Sequence, residues 1–482
     1  MSNIAKSAVK LSVFSVIMIT VTSVDSIRNI PGAALFGSHA ISFFLLAGLC
    51  FFVPTALVCA ELSTTYPQQG GAYLWGKETI GPNFGFATVW YQYAENIVYY
   101  PPLISFIVAT GAYPFFPELA QNNIFMLIMI NVIFWALTLV NIFGLRLSSM
   151  ITNVFGTLGL IFPILLIIGL GGYWAYTNPG ESHISISHVS DWLPDFSQDG
   201  IGAGFTAVVL SLTGLEITTS YASEVENPQK AYPKALLAST ALILVSLTAC
   251  SLSISSVVSS DHASLSEGVI LAFKTFFDDL NLSFMLPVIA LAIVFGTLAS
   301  LNNWIIAPTK SLHVAAKDQF MPIALSKENQ NQAPVALLLL QGAIVSVLSL
   351  VFILVPNVNQ GMWLLNILMT QLYMVMYVCI FISFLVSRRK HADIERPFRV
   401  PGGKVGMSLV AGLGLISCMI TIVVSFDVPA GISAETGAYA LVLGFIAFSL
   451  PAIAAVMYRN RKVRSQAQLI EALASSFFRN TQ

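Results

Sequence analysis

The sequence predicts an all-α membrane protein of 12 transmembrane helices, the first and sixth of them interrupted. Three observations predict it. Of the 482 residues 56% are hydrophobic and only 9% charged, against roughly a quarter charged in soluble domains. Apolar stretches of spanning length recur along the chain. Lys and Arg gather in alternate connections between them.

A spanning helix needs about 20 mostly apolar residues, and an interrupted one runs longer. Twelve segments qualify: residues 11–36, 40–62, 84–112, 122–143, 149–175, 200–223, 235–258, 283–312, 333–355, 362–386, 405–427 and 437–458. Lys6 and Lys10 precede the first segment as in a signal peptide, but no small-residue cleavage site ends a short apolar core, so the segment is expected to be retained. No polar stretch is long enough to build a soluble core. The chain therefore reads as one transporter domain over 1–482, with a short cytoplasmic tail at 460–482. That tail, "SQAQLIEALASSFFRNTQ", has a weak amphipathic pattern that suits either the membrane surface or a short solvated helix.

Charge sets the expected orientation. With a cytoplasmic N-terminus, the outer connections hold Lys274 alone, while "SRRKHADIERPFRVPGGK", "YRNRKVR", Lys310, Lys317, Lys327, Lys230, Lys234, Lys77 and Arg146 lie inside. Both termini are then cytoplasmic. Outer loops such as "NPGESHISISHVSDWLPDFSQDG" carry acids and turn formers. Cys50, Cys59, Cys250, Cys379 and Cys418 fall inside apolar segments, which argues for packing rather than a disulfide framework.

Polar residues concentrate on a few segments. Segment one carries Asp25, Arg28, Asn29 and the pair Pro31-Gly32, where the helix is expected to break. Segment six carries Thr213, Gly214 and Glu216 in "SLTGLEITTSY". Two interrupted helices five spans apart mark an inverted repeat with a substrate site at the bilayer midplane. Half-helix N-termini attract a carboxylate and freed carbonyls accept an ammonium group, which suits the two poles of an amino acid. A tolerated kink is the plain alternative for each glycine or proline taken singly.

A charge at mid-membrane costs about 2.5 to 3.5 kcal/mol on the lenient insertion scale, so Asp25, Arg28, Glu95 and Glu216 are functional candidates. Asp25 and Arg28, three apart, could instead pair with each other. Asn366, Thr370, Tyr373 and Tyr377 form one polar stripe at helical spacing, and Thr297, Ser300 and Trp304 another. Each stripe could line a path. Interhelical hydrogen bonding and core packing are the alternatives.

These residues resemble the amino acid-polyamine-organocation (APC) permeases. The resemblance rests on "CAELSTTYPQQGGAYLWGKETIGPNFGF" after segment two, "TGLEITTSYASEVENPQKAYPKA" in and after segment six, and "RPFRVPGG" after segment ten. Within that superfamily the chain is most similar to the bacterial glutamate/gamma-aminobutyrate antiporter branch, by "SLTGLEITTSYASEVENP", "NNWIIAPTKSLHVAAKDQFMP" and "YMVMY". The resemblance implies the five-plus-five, leucine-transporter-like inverted repeat, with repeats over about 11–175 and 200–386 and extra helices at 405–427 and 437–458. It also implies pathway roles for Glu216, Trp304, Tyr373 and Tyr377. The glycine-rich segment-one motif of many relatives is replaced here by "SIRNIPG".

The expected function is secondary amino acid transport, by exchange through alternating access, in a bacterial inner membrane. Proton-coupled uptake and a polyamine or cationic amino acid exchanger are the rivals. A nutrient-sensing receptor on a transporter fold is a further one. The expected partners are an amino acid substrate, protons in the coupled variant, and the lipid bilayer; no cofactor, metal or nucleic acid is expected. Monomer and homodimer both remain open. The chain has no "GxxxxGK[ST]" phosphate loop, which argues against a nucleotide-driven pump.

Overall fold

Proline and asparagine set the starts of the long helices. A computed structural model describes residues 11–68, 70–143, 159–178, 180–185, 187–193, 201–217, 225–259, 264–426 and scattered positions over 442–461. Segment one begins as α1 (Val13–Val24), capped by the Ser12 hydroxyl, which accepts from the Ser15 amide at 3.2 Å. It resumes as α2 (Ile30–Ala34). Segment two is α3 (Ala40–Ala47) and α4 (Val53–Thr65), joined by a wide π turn over Gly48–Phe52.

The connection that follows is not a plain loop. It holds α5 (Gly71–Thr79), which packs back on α6 (Pro82–Ala112). A Cβ on Gly76 would lie 2.8 Å from the Gly85 Cα, so glycine is what lets the two helices approach. Next come α7 (Asn123–Ile142), capped by Asn122, and α8 (Phe162–Thr177). Segment six is α9 (Ile201–Ser211). Segment seven, α10 (Pro228–Val257), starts seven residues before the expected 235, because Pro228 suits a first helical turn. An additional short helix, α11 (Gly268–Asp279), precedes α12 (Leu286–Lys317). The described chain closes with α13 (Val335–Leu348), α14 (Val358–Lys390) and α15 (Gly403–Val424).

The protein is all-α and membrane-spanning. Among the described residues, nine helices are long and apolar enough to cross a bilayer. The 31-residue α6 adds length for another span but carries Gln92, Glu95 and Asn96 in its middle. Most of segment twelve, and 149–158 of segment five, lie outside the described residues. The apolar window of α14 is 83% buried while those of α7 and α15 are 28% buried, which puts α14 at the centre and the other two against lipid. Helices α6 and α14 pack on each other along their lengths. All five cysteines are free thiols.

Segment one breaks earlier than Pro31-Gly32, and this corrects the expectation. The helix ends at Asp25 (φ −73°, ψ 72°), Ser26 is extended, and one 3-10 turn over Ile27–Asn29 leads into α2. Pro31 sits in the first turn of α2, where its missing N–H costs nothing. Gly32 is a packing residue: a Cβ there would meet the Ala207 Cβ at 3.0 Å. Segment six also breaks, after Ser211, where Gly214 takes φ +107°.

Candidate substrate-binding site

The two breaks face each other across a small buried cavity. Ser23, Val24, Ser26 and Asn29 line it from segment one, Leu210 and Thr213 from segment six, Glu95 and Tyr99 from α6, Trp304 from α12, and Met369 and Tyr373 from α14. Its free volume is about 20 Å³, room for about one water. An amino acid needs more, so admission requires the surrounding segments to separate.

Behind this cavity lies a hydrogen-bonded layer. The Glu216 carboxylate accepts from the Tyr373 hydroxyl at 2.8 Å, from Tyr377 at 2.6 Å and from the Gln92 amide at 3.4 Å. The Tyr377 oxygen in turn accepts the Gly214 N–H at 2.8 Å. The tyrosines stand one turn apart on α14 with rings 5.1 Å apart, so a single helix face grips both the acid and the freed backbone of the break. Gly214 is required twice over: its φ is left-handed, and a Cβ would come within 3.2 Å of the Trp304 ring.

Arg28 is 1% exposed and does not line the cavity. It lies 5.0 Å over the Tyr99 ring, which does, and donates from Nη2 to the Asn366 side chain. Its Nε and Nη1 have no hydrogen-bond partner, nor has the buried Trp304 Nε1. Buried donors left unpaired are costly unless something accepts from them. On the other side of the balance, Glu95 takes a hydrogen bond from Asn96, while Gln92 Oε1 and Asn96 Oδ1 are buried acceptors without a donor. The site thus presents donors and acceptors within a few side chains of one another, a match for a dipolar ligand.

The structure therefore gathers Glu95, Thr213, Trp304 and Tyr373 at the cavity and Gly214, Glu216 and Tyr377 in the layer behind it. Arg28 stands beside them. Asp25 does not join them: its Oδ2 is bonded to the Ser246 hydroxyl of α10 at 2.6 Å, and it forms no ion pair with Arg28. Burial and the break explain this, because unwinding after Val24 turns residues 25 and 28 to different neighbours. Pro31 and Gly32 lie further along, against Gly268 and Ala207. Thr297 bonds its own helix at Ile293, so the stripe on α12 contributes only Trp304 to the cavity. Sequence reasoning passed over Gln92, Asn96 and Tyr99, although polar and aromatic residues within one turn of Glu95 in mid-membrane were the available signal.

Comparison with known proteins agrees with this architecture. A profile of the amino acid permease family matches residues 11–448. An uncharacterized transporter of Legionella pneumophila is 39% identical over 88% of this chain and 90% of its own. A glutamate/gamma-aminobutyrate antiporter of Lactococcus lactis subsp. lactis is 31% identical over 92% of this chain and 89% of its own. A probable agmatine/putrescine antiporter from the same organism is 22% identical over 86% and 87%. With two helix breaks around a buried polar cavity and a family match running nearly from end to end, the chain belongs to the amino acid permease family of the APC superfamily.

Proposed function

We propose that the chain is an amino acid antiporter of the glutamate/gamma-aminobutyrate type, working by alternating access around the cavity between the two breaks. One observation carries the acidic-substrate part: the buried Arg28 guanidinium keeps two nitrogens unpartnered, one aromatic ring away from the cavity wall. When the cavity widens to admit an amino acid, displacement of Tyr99 opens a way for the side-chain carboxylate of an acidic substrate to reach that fork, where two parallel hydrogen bonds can form. Trp304 Nε1 supplies another donor, and Glu95 faces the ammonium end. The identities to glutamate/gamma-aminobutyrate antiporters support the same reading.

The fold would then comprise inverted repeats over about 11–175 and 200–386, in a bacterial inner membrane with both termini cytoplasmic. A cationic exchanger is the second reading, favoured by Glu95 at the cavity and by the likeness to a probable agmatine/putrescine antiporter.

Binding to purified protein separates the two. Arg28→Lys keeps the charge and loses the planar fork, so it should weaken L-glutamate by about tenfold while a neutral amino acid changes little. Equal losses for both, or tighter binding of agmatine than of glutamate by the unmodified protein, would refute the acidic assignment.

A further inference from the structure

Asp25 is a buried acid that does not line the cavity. Its side chain is on the reverse of the unwound turn whose neighbours Ser23, Val24 and Ser26 line the cavity. It is 3% exposed, Oδ1 has no hydrogen-bond partner, and Oδ2 meets Ser246 Oγ at 2.6 Å. Ser246 has a single hydroxyl hydrogen. That hydrogen already has an acceptor in its own helix, the Leu242 carbonyl at 2.9 Å, the usual arrangement for a serine within a membrane helix.

If Ser246 donates to Asp25, its helix carbonyl contacts lose that hydrogen; both contacts are satisfied together when Asp25 carries a hydrogen on Oδ2 and donates it to Ser246 Oγ, which donates to Leu242. An ionised Asp25 would leave Oδ1 without a protein hydrogen-bond donor inside the membrane, a few residues from the exposed Leu242 and Val245. Among the described residues no cation is bonded to Asp25: the Arg28 guanidinium bonds Asn366 and lies over the Tyr99 ring instead. From α10 the titratable group beside Asp25 is Cys250, a buried free cysteine. From α12 the contact with this part of α1 is Ser300, donating to the Thr22 carbonyl at 3.4 Å.

We propose that Asp25 is a proton-binding site of the transporter, occupied in this conformation and placed back to back with the substrate cavity on the segment-one break. The inference rests on reading that break as the moving part of an amino acid transporter. Motion that draws the turn away from α10 separates Asp25 from Ser246, and the acid then gives its proton to water on whichever side has opened. The balance is simple: a carboxylic acid becomes a carboxylate, and one proton enters solvent.

Infrared difference spectroscopy in lipid at neutral pH tests this without any transport. Wild type minus Asp25→Asn should show one protonated-carboxyl C=O band, moved by isotope when the protein is grown on carboxyl-¹³C aspartate. Ser246→Ala should shift the same band to higher frequency, as the hydrogen bond it donates is lost. If Asp25→Asn does not fold, the label in wild type and its shift in Ser246→Ala carry the assignment. A label-sensitive carboxylate band at that position, or no protonated aspartate band, overturns the proposal. Because the readout is independent of exchange, failure of antiport and failure of the proton site are distinguishable.

Discussion

Tyr377 bridges the segment-six break to its own acid: it accepts the Gly214 N–H at 2.8 Å and donates to Glu216 at 2.6 Å. Tyr377→Phe removes both contacts at once and leaves the Gly214 amide without its acceptor. A buried group so orphaned costs about 1–3 kcal/mol. The variant should therefore melt earlier in detergent and bind substrate more weakly, whereas Glu216→Gln, which keeps the shape and most hydrogen-bond partners, should melt close to wild type. Equal melting of Tyr377→Phe and wild type would show that the bridge contributes nothing.

The stripe on α14 was legible because its residues recur at helical spacing, so tyrosines and Asn366 had to share one face. Span positions were legible for the same kind of reason, since length and apolarity are local properties. The position of the first break was not. Proline is compatible with the first turn of a helix as well as with a kink, and only the turn at Asp25 and Ser26, fixed by packing against α10, decides between them. The Asp25–Ser246 contact joins residues 221 apart and leaves no trace in local pattern. Helices α5 and α11 are short and partly polar, which made them look like connection.

Asp25 and Arg28 occupy separate environments, so their substitutions should not couple. In a double-mutant cycle of Asp25→Asn and Arg28→Gln, the interaction energy for stability should fall within about 0.5 kcal/mol of zero. Arg28→Gln with Asn366→Ala should instead show a clear coupling. Reversal of that order would restore the paired reading of Asp25 and Arg28.

A Cβ on Gly32 would sit 3.0 Å from the Ala207 Cβ of α9, closer than ordinary contact. Gly32→Ala should cost about 1–3 kcal/mol through overpacking against Ala207. Gly32→Leu should hold the half-helix away from α9 and abolish binding while the protein still inserts. Wild-type binding by Gly32→Leu would mean that α2 does not close on α9 in the working cycle.

Helix α5 is tied to the end of α12 by Lys77, which donates to Asp318 at 2.5 Å, with the Tyr73 hydroxyl on the same oxygen. Desolvation works to raise the Asp318 pKa, but the Lys77 and Tyr73 hydrogen bonds outweigh it and leave it below the ordinary value. A depressed folded-state pKa gives stability that is present above the unfolded value of about 3.9 and lost as pH falls through the folded one. Asp318→Asn should thus lower the melting temperature only slightly at pH 7, the two side chains being 33% and 35% exposed, and the difference from wild type should vanish in strong acid. A difference that grew on acidification would contradict the sign.

Ala392, exposed in the basic connection after α14, is a position from which topology can be read. Ala392→Cys should react with an impermeant thiol reagent only after the membrane is opened. Labelling in intact cells would invert the proposed orientation.

Counterflow in liposomes tests the central claim most directly. Purified protein is reconstituted into vesicles loaded with unlabelled glutamate, gamma-aminobutyrate, arginine or buffer, and uptake of labelled glutamate is followed over time. An antiporter of the proposed type takes up label rapidly into vesicles holding glutamate or gamma-aminobutyrate and barely into those holding buffer or arginine. Equal uptake into every set of vesicles, or uptake only with arginine inside, would contradict it.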